Sequence, residues 1–122
     1  MTRPARFPTY DRVMGHEYQD RVSMELARRV ASELPHRPEW LALARENLDR
    51  WSTLNRDAKG LLRAYAQWQA ILERPVQEIC QILLAHTDEG QRLRQSSPFA
   101  GALTAAEVWA IKDRMRNGQS AA

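Results

Sequence analysis

The side chains of this chain best suited to acid–base, nucleophilic or metal chemistry near neutral pH are three histidines and one cysteine. His16, His36 and His86 stand on separate segments. None has the HExxH, HxH or His/carboxylate spacing that would bring donors around an ion, so no metal site is expected. Cys80 is the single cysteine, which excludes an internal disulfide and any multi-cysteine zinc site. It sits in a periodic apolar run with Val76, Ile79 and Leu83 and reads as a small buried hydrophobe. The glycines are spread singly, and no P-loop, GxGxxG or GxSxG pattern offers a phosphate cradle or a nucleophile elbow. These absences predict a chain with no catalytic residues and no cofactor.

Arg29 and His36 are the pair whose spacing comes nearest to chemistry. It resembles the RNase motif of the HEPN helical nucleases, in which an arginine and a histidine converge near a helix end at a dimer interface. Val30 stands where that motif usually has a polar residue, and Pro35 directly precedes the histidine. A HEPN-like ribonuclease is therefore the enzyme alternative, and His36 is its key residue.

A second pattern is a dense polar run. Gln91, Arg92, Arg94, Gln95, Ser96 and Ser97 place hydrogen-bonding side chains in six of seven positions before Pro98 and Phe99. Two readings apply. The serines and glutamine can satisfy loose backbone groups at a helix end while Phe99 anchors the loop. Alternatively, forked arginine donors and amides can form a recognition loop. Arg92 and Arg94 cannot face the same way on one helix, so one of them is expected to serve internal structure.

These residues must be carried on helices, because no stretch shows sustained period-two alternation. The arm over 1–8 is expected to be extended, its arginines and prolines disfavouring a helix. A first helix begins at Tyr10 or His16 and ends at Leu34. Tyr18, Val22, Leu26, Val30 and Leu34 recur every four residues, Ala27 and Ala31 widen the stripe, and Pro35 and Pro38 end it. Pro38 opens a second helix with Trp40, Leu41, Ala44, Leu48 and Trp51 on one face, followed by a turn at Ser52–Asn55. A third spans Asp57–Glu73 with Leu61, Leu62, Tyr65, Trp68 and Leu72 inward, and a fourth runs from Val76 to about His86. Thr104 and Glu107 form a capping box with Leu103 and Val108 as its hydrophobic staple. The helix they start carries Val108, Ile111 and Met115 and stops at Asn117-Gly118. The expected fold is an all-α, single-domain bundle of four to five helices over 9–122. Its shared core includes Val22, Leu26, Val30, Leu48, Trp51, Leu61, Tyr65, Trp68, Ile79, Leu83 and Ile111.

Length and charge set the outer limits. A chain of 122 residues with 43% apolar and 27% charged residues has the composition of one globular domain. No apolar run approaches the length of a membrane span, and the N-terminus lacks the apolar core of a secretion signal, so a cytoplasmic address is expected. The net charge of +3 is spread evenly, with no block of like charge. Nucleic-acid attachment is therefore expected to be weak. A helix-turn-helix over Pro75–His86 and Thr87–Gln95 is the alternative reading, a DNA-binding autoregulator. Its second helix has only Leu93 as a large apolar anchor and Gly90 at its middle, which leaves little to seat a recognition helix. Trp40, Trp51 and Trp68 fall on inward faces, whereas Trp109, beside the Val108 stripe, is the one open to a partner.

The stretch Leu93-Arg94-Gln95-Ser96-Ser97-Pro98-Phe99-Ala100-Gly101, with Leu103, Glu107 and Trp109, resembles a group of small bacterial helical proteins. These proteins carry an LRQxSPFxGxL signature near the C-terminus. The segment Ala44–Trp51 and the Trp68, Ile71, Leu72 cluster are similar to the same group. The resemblance implies an antitoxin or accessory partner of a nucleotidyltransferase-like or other toxin-like enzyme, and it brings no catalytic residue. The functional expectation is a non-enzymatic protein-binding module. Gln91, Arg92, Arg94, Gln95, Ser96, Phe99 and Trp109 are its candidate contacts.

Overall fold

One long helix, α1 (Arg3–Glu33), carries the last three helices of the chain along its length, while the second and third pack on each other. The fold is taken from a computed structural model that describes the backbone of residues 3–117 and the side chains of 17–117. A 3₁₀ turn (Leu34–His36) follows α1. Then come α2 (Glu39–Leu54), α3 (Lys59–Ile71), α4 (Val76–Leu83), α5 (Asp88–Gln95) and α6 (Ala105–Arg116), with no strand among the described residues. The all-helical expectation holds, but the described residues form six helices rather than four or five. The added element is α5, which the sequence suggested only as half of a helix-turn-helix. The helix expected to start at Tyr10 or His16 starts at Arg3, so no extended arm is found over 3–8. Pro4 falls in the first turn, where a missing N–H costs nothing. Gly15 does not interrupt the helix.

Prolines set the corners as anticipated. Pro35 lies within the 3₁₀ turn, and Pro38, at φ −60°, leads into α2. Pro75 (φ −57°, ψ 148°) is extended, and its carbonyl accepts the Ile79 N–H at 3.1 Å. α2 persists to Leu54, so the turn expected at Ser52–Asn55 falls instead at Asn55–Ala58. α3, expected over Asp57–Glu73, and α4, expected to run to about His86, are by contrast shorter than expected, at Lys59–Ile71 and Val76–Leu83.

α2 and α3 form an antiparallel hairpin, joined by Trp51 against Tyr65 with ring centroids 5.8 Å apart. α6 runs antiparallel to α1. The Tyr18 hydroxyl donates to the Lys112 carbonyl at 2.9 Å near one end, and Arg29 meets Glu107 at 2.7 Å near the other. α4 and α5 pack against α1 and each other, and Cys80 Sγ reaches the Ala31 carbonyl at 3.5 Å. Their close approach depends on Gly90, because a Cβ there would lie 2.4 Å from the Ala85 carbonyl oxygen. Gly101, at φ +90°, takes a left-handed conformation that other residues adopt at a cost.

The core joins Val22, Val30, Leu34, Leu48, Tyr65, Trp68, Ile79, Leu83 and Ile111 in one cluster, with Leu26 and Trp51 half-buried against it. Leu61 departs from expectation: it is 42% exposed, because it lies at the far end of its stripe, past the last packed layer. No helix among the described residues is long and apolar enough to cross a membrane.

Leu48 has no exposed surface. Leu48→Ala is therefore expected to lower unfolding free energy by about 2–5 kcal/mol. Urea denaturation followed by far-UV circular dichroism checks this, and a loss under about 1 kcal/mol would show that the site collapses around the smaller side chain.

Candidate functional site

Within the polar run from Gln91 to Ser97, Arg94, Ser96 and Ser97 close helix ends. α4 ends in carbonyls with no partner inside the helix. Arg94 Nη1 donates to two carbonyls there, Ala85 at 2.7 Å and Leu83 at 3.1 Å. A cation at a helix C-terminus also suits the negative end of the dipole. Burial lowers the pKa of the Arg94 guanidinium, Asp20 opposes that shift, and Nε is buried without a hydrogen-bond partner. Arg92 points outward to Glu89 and, at 2.9 Å, to Gln67. The division of labour anticipated between the two arginines is thus Arg94 inside and Arg92 outside.

Thr87 accepts the Gly90 N–H at 3.0 Å and starts α5. Its sequence signal was a threonine directly before two acidic residues, which the polar run drew attention away from. Ser96 donates back to the Leu93 carbonyl, and Ser97 accepts the Phe99 N–H at 3.3 Å. Both are the local bonds expected of a helix end. Pro98 and Phe99 are buried, so Phe99 is not available to insert into a partner. Gln95 is exposed and Gln91 half-buried.

Asn47, without an assigned role at the sequence level, and Trp68, expected there only as a core residue, hold this segment. Asn47, buried on the inner face of α2, donates from Nδ2 to the carbonyls of Pro98 and Ala100, each at 2.9 Å, and accepts from Arg50 at 2.5 Å. Its signal was an amide on an otherwise apolar helix face. Trp68 is fully buried, donates from Nε1 to the Leu93 carbonyl at 3.0 Å, and meets Phe99 edge-on at 6.2 Å. The segments Ala44–Trp51, Trp68–Leu72 and Leu93–Gly101 therefore meet in one interlock.

That interlock forms one wall of an apolar cleft of about 210 Å³. α1 supplies Ser23, Leu26, Ala27 and Val30, and Leu103 and Val108 close the far side. Arg94, Gln95 and Ser97 bring the polar atoms. The volume lies below the range of roughly 300–1,000 Å³ common for small-molecule pockets. It suits one or two inserted side chains. On α6, Trp109 is 58% exposed with the Arg116 guanidinium 5.1 Å from its ring centroid, and Ala105, Ala106 and Ala110 are exposed beside it.

Arg29 and His36 are the candidate catalytic pair. Arg29 is held by Glu107 at 2.7 Å and Glu33 at 3.2 Å, so its guanidinium is already neutralised; His36 is exposed in the 3₁₀ turn. Among the described residues no cluster of three or more His, Cys, Asp or Glu is placed to hold a metal. As a helix-turn-helix, α4 and α5 would lead into a groove with Asp88 and Glu89, two anions where phosphates must be met. No protein-family model, curated protein or solved structure matches this chain.

The ionisable groups give two predictions. The Glu107 carboxyl is held below its ordinary range, first by the Thr104 N–H at 2.8 Å, with Arg29 adding to the effect. A depressed carboxylate stabilises the fold above its ordinary pKa and loses that contribution as pH falls through the folded value. Glu107→Gln should therefore melt below the parent at neutral pH, with the gap closing below about pH 4. Thermal melts across that range measure it, and a gap independent of pH would refute the assignment. Burial pushes the Cys80 thiol pKa up. Its labelling by a disulfide reagent at neutral pH should be slow until denaturant is added, whereas labelling at the rate of a free thiol would show an open site.

Proposed function

We propose that this protein is a non-enzymatic protein-binding module, acting as the antitoxin or accessory partner of a toxin-like enzyme. The observation that carries the reading is the side-chain-sized apolar cleft beside an α6 face on which a large aromatic stands uncovered. A tryptophan over half exposed and stacked by an arginine has the composition of an interface hot spot. The flat alanine surface around Trp109 allows a partner helix to approach closely. The cleft formed by Leu26, Val30, Phe99, Leu103 and Val108 accepts an apolar side chain from the partner, and Gln95 offers an amide at its rim. Phe99 thus builds the receiving wall in this proposal. Arg92 and Gln91 lie outside the lining of this cleft.

Neutralisation needs only that the covered surface of the partner include its active-site entrance, or that docking hold that entrance in a closed state. The resemblance centred on Leu93–Gly101 supports the same reading, since the segment that carries it also builds the cleft. The proposal places the protein in the cytoplasm with its partner, with no cofactor and no direct role for nucleic acid.

Co-expression with the product of the adjoining gene tests the proposal. The expected result is a stoichiometric complex on size-exclusion chromatography and relief of that product's toxicity. Trp109→Ala and Val108→Glu should each weaken the complex by about tenfold or more while leaving the melting temperature within a few degrees. A non-toxic neighbour with no complex would end the antitoxin reading. RNA cleavage by the purified chain, abolished by His36→Ala, would replace it with the ribonuclease.

A further inference from the structure

We infer that the tip of the α2–α3 hairpin is a second docking surface, shaped for an acidic amphipathic helix of a protein partner. The inference rests on the chain being a binding module but not on the identity of the enzyme it serves. Along α2 the core-facing stripe of Trp40, Ala44, Leu48 and Trp51 goes on to Leu54, and along α3 the stripe of Trp68 and Tyr65 goes back to Leu61. Both stripes outrun the packed interior. Leu54 is 72% exposed and Leu61 42%, while Trp51 and Leu62 beneath them are half-buried. With Trp109, these are the large hydrophobic side chains left exposed among the described residues.

The base of this patch is firmly built. The Asn55 N–H closes on the Trp51 carbonyl at 2.8 Å and the Ala58 N–H on the Asn55 carbonyl at 2.9 Å. Asn55 Nδ2 also donates to the Trp51 carbonyl at 3.0 Å and to the Tyr65 hydroxyl at 3.4 Å. A preorganised turn presents its two leucines with little ordering cost on binding.

Charge selects the occupant. Arg56, Lys59 and Arg63 surround the leucines, all exposed, with Asp57 as the acid among them. Elsewhere Arg28, Arg29, Arg37, Arg92, Arg114 and Arg116 are each paired with a carboxylate, while Arg21, Arg45, Arg50 and Arg74 are exposed without one among the described residues. None of the ion pairs found among the described residues includes Arg56, Lys59 or Arg63. A rim of uncompensated cations around an apolar centre is complementary to a helix with leucine-like anchors at i, i+3 or i+4, and i+7 flanked by Asp or Glu. A second copy of this chain fits less well, since a two-fold contact at the tip would set these cations against themselves.

The probe is a synthetic helical peptide of about 16 residues with leucine anchors at that spacing and glutamate elsewhere. It is titrated into the full-length chain at low salt, alongside a scrambled peptide and one with lysine replacing glutamate. The expected result is binding at ~10–100 µM, weakened by salt, with amide shifts centred on residues 51–63. Leu54→Ser/Leu61→Ser and Arg56→Glu/Lys59→Glu/Arg63→Glu should each lower affinity about tenfold or more without moving the melting temperature by more than a few degrees. Equal binding of the three peptides, or shifts that avoid 51–63, would overturn the inference. So would dimerisation, or flotation with phosphatidylserine vesicles, that the double serine variant abolishes while the acidic peptide fails to bind. The tip variants leave the cleft and Trp109 intact, so failure here and failure of complex formation with the neighbouring gene product are separate results.

Discussion

The buried indole of Trp68 is the contact on which most of the remaining structure depends. Its ring fills the centre of the core, its N–H has one outlet in the Leu93 carbonyl, and its edge relation with Phe99 draws the loop after α5 inward. A tryptophan that gives up water must find a hydrogen-bond acceptor, and that need fixes where α5 ends relative to α3. Once Leu93 and Phe99 are in place, Pro98 is buried and its carbonyl must be satisfied in turn. Asn47 meets that demand and also takes the Ala100 carbonyl.

The same accounting explains the small C-terminal half. α4 and α5 are each two turns long, too short to hold themselves together in water. They persist because their ends are closed by side chains. Thr87 caps the start of α5, Arg94 reaches back to the open end of α4, and Gly90 lets the two approach. α6 is tied by its capping box, whose glutamate doubles as the counter-ion of Arg29 on α1. Stabilising electrostatics here is mostly local, with carboxylates and guanidinia serving backbone ends and neighbouring helices.

This arrangement reverses the meaning of the most polar stretch. Read as a string, Gln91–Ser97 offers donors and acceptors suited to recognition; folded, Arg94, Ser96 and Ser97 face backbone left open by short helices. The surfaces left uncovered are apolar instead: the cleft beside α1, the face around Trp109 and the hairpin tip with Leu54 and Leu61. Polar side chains here serve the integrity of the fold, while Leu54, Leu61 and Trp109 are left exposed.

Local sequence determined the helical class, the corners at Pro35, Pro38 and Pro75, and the α6 cap, because four-residue apolar spacing, fixed proline φ and a Thr-x-x-Glu box act within a turn or two of chain. It also marked Trp109 as open and required Arg92 and Arg94 to diverge, since helix geometry alone sets neighbouring side chains apart. Tertiary structure decided which arginine went inward, because only the placement of α4's free carbonyls distinguishes them. It decided that Phe99 lines a cleft rather than leaves it, and that Asn47 is a clamp, through contacts across some fifty residues of chain. α1 reaches back to Arg3, where local proline content argued for an extended arm. Tertiary structure left Leu61 exposed, because a stripe's periodicity names the inward face of a helix while the position of the neighbouring helices determines how far along that face the core extends.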